Sequence, residues 1–157
     1  MYRDLKAENF IVQRNTGKLF LVDFGFAKKL SKNGRTLTKC GTPGYTAPEI
    51  LMQSDEESNE YFKKTNEKNE LGYSYPCDVW SWGVLVCEMI GGYNPFVQDS
   101  KSIMDTFNNI INVRIVWPKN MPPILYQLLR KVFVSDPTER ITLNEIKRSF
   151  YFQVSSI

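Results

Sequence analysis

Two short apolar segments near the N-terminus, joined by turn residues, constrain the fold of this chain more than any other feature. Residues 10–13 and 18–22 have the composition of short strands, and residues 14–17 (RNTG) carry typical turn chemistry. We therefore predict an antiparallel β-hairpin. In a hairpin the start of the first strand lies beside the end of the second, so the residues before Phe10 and after Val22 converge.

The converging residues all carry polar groups that can do chemistry. Asp4, Lys6 and Asn9 precede the first strand, and Asp23 follows the second. The hairpin therefore predicts that two carboxylates, an ammonium group and an amide lie close together. This juxtaposition is the first indication of a functional site in the chain.

Two polar stretches interrupt the regular pattern. Residues 24–49 show no periodicity and carry six glycines and prolines, so they predict a long irregular loop. Loops of this length inside a compact domain are usually functional. Residues 54–70 hold six acidic residues and three lysines, and they predict a solvated insertion with a net charge of −3. A docking role for this insertion is the alternative.

The rest of the chain predicts helices. Residues 78–90 are apolar nearly all round, which is typical of a helix buried on most sides. We expect amphipathic helices over residues 103–111 and from residues 122–123 to the Asp-Pro pair at 136–137, and a capping box at residues 142–145 opens a third. The fold class is therefore expected to be α+β, mainly helical with one N-terminal hairpin. The apolar residues expected on buried faces include Met89, Ile103, Met104, Phe107, Ile110, Ile111, Ile124, Leu125, Leu128, Leu129, Val132 and Phe133.

The composition excludes several classes of function. The chain has no histidine, which rules out a catalytic His, a Ser-His-Asp triad and a His-ligated metal. Its three cysteines form no C-x-x-C motif, which argues against a disulfide framework or a structural zinc site. A net charge of +3 gives little support to nucleic-acid binding. Because no secretory signal and no membrane-spanning run are visible, we expect a soluble cytoplasmic protein without membrane contacts.

Three short motifs follow one another along the chain: YRDLKAEN at residues 2–9, DFG at 23–25 and APE at 47–49. In this order, separated by the hairpin and the loop, they resemble the catalytic loop, magnesium loop and activation segment of the eukaryotic protein kinases. Asp78, which would open the central helix in a structural role, and DPTER at residues 136–140 extend the resemblance towards the C-terminus.

The resemblance implies roles for the converging residues. Asp4 would accept or orient the proton of the substrate hydroxyl, and Lys6 would lie against the transferring phosphate. Thr42 would bond to both of them, as in serine/threonine kinases. The implied cofactors are ATP and Mg²⁺, and the metal prefers hard oxygen ligands. The implied metal ligands are Asn9 and Asp23, and the implied nucleotide contacts are Asn9, Asp23 and Ile11.

The loop and the helical region have implied roles as well. Thr38 is a candidate phosphosite, because a phosphate there would dock on Arg3 and Lys28 and order the loop. An ordinary solvated threonine is the alternative. Glu49 and Arg140 are expected to form a buried ion pair with a structural role, since the loss of one partner would leave a buried charge unpaired.

The catalytic loop narrows the resemblance to a subgroup. Tyr2 stands where most kinases have a histidine, and together with residues 23–30 it resembles the cyclic-nucleotide-dependent (AGC-like) kinases. In that group Glu8 and Glu88 would contact arginine on a basic protein substrate, and Pro43 would also contact the substrate. An Arg-Ile-Thr string near the C-terminus departs from the subgroup and is closer to the calmodulin-dependent kinases.

Residues 1–157 would then be a partial kinase domain, with the catalytic loop at 2–9, the activation segment at 23–49 and the insertion at about 54–70. No Gly-rich loop, strand lysine or αC glutamate precedes the catalytic loop. We therefore expect a C-lobe with the N-lobe absent, through truncation or an incomplete gene model, and a chain that is inactive alone. A non-catalytic kinase-like binding or regulatory module is the alternative. A regulatory domain or subunit outside this chain would be a further partner.

Overall fold

The computed structural model describes residues 1–30, 34–53 and 72–154. Within them a single 3-10 turn leads into a two-stranded sheet, and helices make up most of the remaining regular structure. The described residues confirm the expected α+β class, mainly helical with one hairpin near the N-terminus. The elements are the 3-10 turn Ala7–Asn9, strands β1 (Phe10–Val12) and β2 (Leu19–Leu21), and helices α1 (Pro48–Leu51), α2 (Pro76–Gly91), α3 (Ile103–Ile111), α4 (Pro123–Val132), α5 (Leu143–Lys147) and α6 (Phe150–Val154).

The hairpin is antiparallel, as predicted, and its strands are slightly shorter than expected, since Gln13, Lys18 and Val22 lie outside them. Phe10 of β1 lies opposite Leu21 of β2. Beyond this pair, the Val22 N–H donates to the Asn9 carbonyl at 2.9 Å. The backbone pairing therefore continues to the open end of the hairpin, where it brings the segment before β1 against the segment after β2.

Helix α2 forms the centre of the hydrophobic core. Trp80 is fully buried and stacks on Phe96, with ring centroids 5.3 Å apart. It also meets Phe133 edge-on at 5.1 Å. Gly83 allows α2 and α4 to approach closely, since a Cβ at this position would lie 2.6 Å from Val132 Cγ1. Close packing against Phe96 and α4 thus fixes the helix whose first turn carries Asp78.

Several apolar positions that were expected to be buried are exposed. Ile103 and Met104 lie in the first turn of α3, which is anchored further along by the buried Ile110. Ile103 borders an open cleft of about 400 Å³ that separates this turn from the loop ahead of α1. Met89 on the outer face of α2 and Ile124 in the first turn of α4 are exposed as well. A helical period alone does not indicate which turns a neighbouring element covers.

The helix boundaries differ from the expectation at two places. Helix α2 begins at Pro76, two residues early, and α4 ends at Val132 rather than at the Asp-Pro pair. The capping box of α5 is confirmed, because Thr142 Oγ1 accepts from the Glu145 N–H at 3.3 Å while the Glu145 carboxylate accepts from the Thr142 N–H at 2.8 Å. The insertion at about 54–70 lies outside the described residues. None of the helices described here is both long enough and apolar enough to cross a bilayer.

Candidate active site

The open end of the hairpin collects the polar residues that the sequence singled out. The 3-10 turn Ala7–Asn9 follows the extended residue Lys6 and delivers Asn9 to the start of β1. Arg3 and Asp23, on the two sides of this end, adopt positive φ angles of 74° and 57°. Such a conformation costs a residue other than glycine about 1–3 kcal/mol and persists only where surrounding contacts hold it.

Asp78 supplies contacts that hold the backbone ahead of Asp4. From the first turn of α2, its Oδ1 accepts from the Arg3 N–H at 2.7 Å, and its Oδ2 accepts from the Tyr2 N–H at 2.8 Å. Two backbone donors thus find an acceptor although the chain turns into the left-handed region at Arg3. The carboxylate of Asp78 therefore connects the central helix directly to the candidate catalytic loop.

Asp4, Lys6 and Thr42 form one hydrogen-bonded unit. Thr42 Oγ1 donates to Asp4 Oδ1 at 2.5 Å, and Lys6 Nζ lies 3.0 Å from Asp4 Oδ2. Lys6 also donates to Thr42 Oγ1 at 2.8 Å, which closes the triangle. Asn9 adds a fourth member, since its Nδ2 donates to the Asp4 backbone carbonyl at 2.8 Å and to Oδ2 at 3.1 Å.

These contacts set the protonation state of Asp4. Burial of this carboxylate opposes ionisation, but the hydrogen bonds from Thr42, Lys6 and Asn9 together outweigh it, so the pKa of Asp4 lies below its usual value. The group is therefore a carboxylate at neutral pH with both oxygens already engaged. Such a group can orient a hydroxyl and receive a proton once a reaction makes that proton acidic.

Asn9 pairs with Val22 across the open end of the hairpin, and Asp23 is the next residue along the chain. The amide nitrogen of Asn9 is engaged with Asp4, which leaves the amide oxygen as its acceptor. One carboxylate oxygen of Asp23 accepts from the Gly25 N–H at 3.0 Å, and the side chain is otherwise exposed. A buried amide oxygen beside an exposed carboxylate offers two hard oxygen donors. Such donors fit Mg²⁺, which commonly takes one or two protein oxygens and completes its shell with phosphate and water.

Tyr2 lies against this cluster. Its hydroxyl donates to the Val22 carbonyl, and its ring meets Phe24 edge-on at 5.5 Å. Burial, followed by the nearby charges of Asp23 and Asp4, raises the pKa of the Tyr2 phenol. The residue that replaces the usual histidine therefore ties the two sides of the hairpin together. Ile11, implied as a nucleotide contact, is exposed on β1.

The candidate phosphosite lies close to one of its two implied docking residues. Tyr73 is hydrogen-bonded to both the Thr38 carbonyl, at 2.6 Å, and Arg3 Nη1, at 3.3 Å, so these two groups are at most about 6 Å apart. Lys28, the other docking residue, donates from Nζ to Thr36 Oγ1 at 2.8 Å. The Thr38 side chain itself is exposed.

The residues implied in substrate binding are a pair of carboxylates, Glu8 and Glu88, and the exposed Pro43. Burial and then the charge of Glu8 raise the pKa of Glu88, so the two carboxylates are close enough to repel each other. The Tyr45 hydroxyl donates to Glu88 Oε2 and fixes that side chain. Pro43 is exposed and lines the open cleft beside α3.

Glu49 and Arg140 form a two-pronged ion pair. Nη1 and Nη2 of Arg140 donate to the two carboxylate oxygens at 2.7 and 2.8 Å. The same guanidinium donates to the carbonyls of Pro76 and Val134 and lies over the Trp80 ring at 5.1 Å. The pair therefore fastens the end of the long loop to the core.

Sequence reasoning missed two residues of the site. Tyr73 and Tyr45 each present a hydroxyl to a candidate functional residue, and both are buried. The one available signal was the residue type, because a buried tyrosine needs a hydrogen-bond partner for its hydroxyl. That signal indicates neither the burial nor the partner, which here is distant in sequence.

Comparison with known proteins gives one family and many relatives. The family profile described as "Protein kinase domain" matches residues 1–152. The chain is 36% identical to cAMP-dependent protein kinase catalytic subunit 3 of Drosophila melanogaster, over 98% of this chain and 23% of the relative. It is 36% identical to cAMP-dependent protein kinase type 3 of Saccharomyces cerevisiae, over 90% of this chain and 30% of the relative.

A kinase with a different second messenger matches almost as well. The chain is 35% identical to cGMP-dependent protein kinase 2 of Mus musculus, over 94% of this chain and 18% of the relative. The chain therefore spans between about a fifth and a third of the length of these curated relatives.

Proposed function

The chain belongs to the serine/threonine protein kinase family, and we propose that it carries the catalytic, metal-binding and substrate-facing loops of a kinase that transfers the ATP γ-phosphate to Ser or Thr hydroxyls. The observation that carries the proposal is the Asp4–Lys6–Thr42 triangle, with each contact at 3.0 Å or less. Phosphoryl transfer requires mainly positioning and charge compensation, and this unit offers both.

Within the unit the residues divide the work. Asp4, kept ionised by its three donors, would orient the substrate hydroxyl and take its proton as the bond to phosphorus forms. Lys6 would face the transferred phosphate, because only part of its ammonium group is used by Asp4 and Thr42. Thr42 would hold the other two in register from the activation segment.

Asn9 and Asp23 are the residues that would hold a divalent cation. Mg²⁺ bound there would neutralise phosphate charge and position the nucleotide. The contribution of the chain is the pair of oxygen donors at the open end of the hairpin, with the Asn9 amide fixed by Asp4. Ile11, exposed on β1, would contact the nucleotide from the strand.

We propose basic protein segments as the substrates. Glu8 and Glu88 lie near enough for the charge of Glu8 to raise the pKa of Glu88, so the two carboxylates destabilise each other when nothing lies between them. An arginine guanidinium, with donors for two carboxylates, would relieve this repulsion. Pro43, at the edge of the cleft beside α3, would contact the substrate on another side.

Regulation is proposed at Thr38. The Tyr73 hydroxyl lies 2.6 Å from the Thr38 carbonyl and 3.3 Å from Arg3 Nη1. The Thr38 backbone is therefore within about 6 Å of the Arg3 guanidinium. A phosphate on the exposed Thr38 hydroxyl could pair with Arg3, and with Lys28 if that ammonium group turned from Thr36. The modified loop would then be fixed against the residue that precedes Asp4.

The three relatives described above are named for their dependence on cAMP or cGMP. We propose that a regulatory domain or subunit outside the 157 residues controls this kinase too, without assigning a messenger. A cytoplasmic location would suit the three free cysteines, Cys40, Cys77 and Cys87, which would stay reduced there.

A transfer assay with a binding arm tests the proposal. The 157-residue chain is incubated with radiolabelled Mg·ATP and an arginine-containing serine peptide, alongside the variants Asp4→Asn and Asp99→Asn. Asp99 is an exposed carboxylate outside the Asp4–Lys6–Thr42 unit. We expect little turnover, because the 157 residues include no Gly-rich loop and no strand lysine that would hold ATP in place. Robust turnover that Asp4→Asn abolishes would prove transfer and disprove this inactivity.

The binding arm measures the melting temperature with and without Mg·ATP. A stabilisation that Asp23→Ala removes and Asp99→Asn keeps would support the nucleotide site even without turnover. Neither turnover nor a nucleotide effect would instead favour a non-catalytic kinase-like module.

A further inference from the structure

The segment that carries Thr38 is fastened to the chain just ahead of helix α2. Thr36 and Tyr73 form an isolated antiparallel bridge, with an N–H to carbonyl distance of 3.0 Å in each direction. Beside it, Arg35 Nη1 donates to the Gly72 carbonyl at 2.8 Å. The loop is therefore paired through groups that do not include the Thr38 side chain.

The phenol of Tyr73 adds contacts further along the loop. Its hydroxyl donates to the Thr38 carbonyl at 2.6 Å and accepts from Arg3 Nη1 at 3.3 Å. The sulfur of Cys40 lies 3.5 Å from the same oxygen. One hydroxyl therefore joins the backbone of the candidate phosphosite to the arginine that precedes Asp4.

Burial makes this hydroxyl difficult for water to replace. Tyr73 is only 1% exposed, and buried polar groups in folded proteins are almost always paired. Burial and then the hydrogen bond with Cys40 raise the pKa of the Tyr73 phenol. The group is therefore protonated at neutral pH and able to donate to Thr38.

Arg3 is the point where the loop meets the candidate catalytic residues. Its Nε donates to the Phe26 carbonyl at 2.6 Å, and its backbone N–H donates to Asp78. Its backbone is in the left-handed region, with φ of 74°, directly before Asp4. A group that fixes the guanidinium therefore also supports a strained backbone next to the key carboxylate.

We propose that the Tyr73 hydroxyl is a positioning group that holds residues 34–41 against Arg3 while Thr38 carries no phosphate, and so keeps Asp4 aligned. The inference rests on the proposed kinase function. In the unmodified loop Arg3 binds the Tyr73 hydroxyl, and in the phosphorylated loop it binds the phosphate on Thr38. A phosphate on Thr38 replaces the Tyr73 hydroxyl as the partner of Arg3, because a hydrogen bond between two charged groups is stronger than one to a neutral hydroxyl.

Amide hydrogen exchange on the 157-residue chain tests the proposal without any need for phosphoryl transfer. Tyr73→Phe keeps the buried ring and removes only the hydroxyl. We expect the exchange rates of the Thr36 and Arg3 amides to rise about 3- to 10-fold, the factor that corresponds to one net hydrogen bond. The Phe133 amide, bonded to the Leu129 carbonyl in the core, serves as the internal reference.

Tyr93→Phe is the matched control. It deletes a hydroxyl that donates to the Trp117 carbonyl at 3.2 Å, in another part of the fold. It should leave the exchange rates of the Thr36 and Arg3 amides unchanged. A comparable acceleration in this variant would indicate general softening of the chain and would overturn the proposal.

A rescue variant separates positioning from packing. In Tyr73→Phe/Thr38→Glu the new carboxylate can pair with the released Arg3, and both exchange rates should return to within about twofold of wild type. Unchanged rates in Tyr73→Phe alone would overturn the positioning role. If the carboxylate at position 38 did not lower the exchange rates again, the proposal that Tyr73 and an anion on residue 38 bind the same Arg3 guanidinium would be overturned. The kinase proposal itself is tested separately by the transfer and nucleotide-binding assays, so the exchange experiment can fail without contradicting it.

Discussion

Two carboxylate–cation pairs hold the long loop, one at Glu49 and the other at Thr42, and they differ in geometry and exposure. At its C-terminal end, Glu49 meets Arg140 through two hydrogen bonds of 2.7 and 2.8 Å, and the arginine side chain has no exposed area. In the catalytic loop, Asp4 meets Lys6 through one contact of 3.0 Å, and both bond to Thr42 of the long loop. The lysine side chain is 22% exposed.

The two pairs differ in the number of N–H donors that each cation has available for a ligand. Besides Glu49, Arg140 donates to backbone carbonyls, and its guanidinium plane lies over the Trp80 ring. Lys6 uses two donors, on Asp4 and Thr42, so one N–H of its ammonium group has no partner among the described residues. A saturated pair stabilises the fold, whereas an unsaturated pair that faces solvent can receive a ligand. The comparison predicts that substitutions affect mainly stability at the Glu49–Arg140 pair and mainly chemistry at the Asp4–Lys6 pair.

Arg140→Ala should have the largest effect on stability. The variant leaves Glu49, whose side chain is only 11% exposed, as an unpaired carboxylate, and removes the partner of the Pro76 and Val134 carbonyls. We expect the free energy of unfolding to fall by about 3–5 kcal/mol, as measured by urea denaturation. Arg130→Ala, an exposed arginine of α4, is the control and should change it by less than about 0.5 kcal/mol. A similar small loss at Arg140 would contradict the saturated-pair interpretation.

Asp78→Asn should have the next largest effect, because this residue belongs to the core helix and serves the catalytic loop. An amide has one acceptor oxygen, so either the Tyr2 or the Arg3 N–H would lose its partner. We expect a loss of about 1–3 kcal/mol in the free energy of unfolding and faster amide exchange at these two residues. Asp99→Asn is the exposed control, and equal effects in the two variants would refute the link between helix and loop.

The candidate site could be predicted where its geometry is local or carried by motifs. A hairpin with a short turn forces its flanks together, so the approach of the segment that ends at Asn9 to the segment that starts at Val22 followed from sequence. The capping box of α5 followed as well, because Thr142 and Glu145 are three residues apart. The pairing of Glu49 with Arg140 was implied by the family resemblance rather than by any local pattern.

The contacts that could not be predicted join residues that are distant in the chain. Tyr73 reaches Thr38 across 35 positions and Arg3 across 70. Hydrophobic periodicity carries no information about such pairings, because it identifies a buried face and not the group that faces it. The exposure of Ile103 has the same origin, since coverage of a helix turn depends on a neighbour elsewhere in sequence.

Asp4→Asn should change chemistry far more than stability. We expect a loss of about 1–2 kcal/mol in the free energy of unfolding, since the amide keeps some of the hydrogen bonds. Phosphoryl transfer in the active protein should fall about 100- to 10,000-fold, because the variant cannot take a proton. A loss of stability as large as that of Arg140→Ala would remove the distinction between the two pairs.

The pH dependence of this variant sharpens the comparison further. The folded pKa of Asp4 is lowered, whereas an unfolded aspartate titrates at about 3.9. The ionised carboxylate therefore contributes stability above about pH 4 that is lost as the pH falls through the folded pKa. The difference in unfolding free energy between wild type and Asp4→Asn should be constant from about pH 7 to 5 and shrink below about 4. A difference that persists in acid would mean that Asp4 does not act as a charge.

Thr42 should give the smallest effect on stability and the sharpest test of the unsaturated pair. Its hydroxyl donates to Asp4 and accepts from Lys6, so Thr42→Ala removes two contacts. The free energy of unfolding should fall by only about 0.5–1.5 kcal/mol, because the side chain is partly exposed and water can replace the hydroxyl. Thr42→Ser keeps the hydroxyl and should restore both stability and transfer. If serine failed to restore transfer while stability recovered, the methyl group rather than the hydrogen-bonded triangle would be what aligns Asp4.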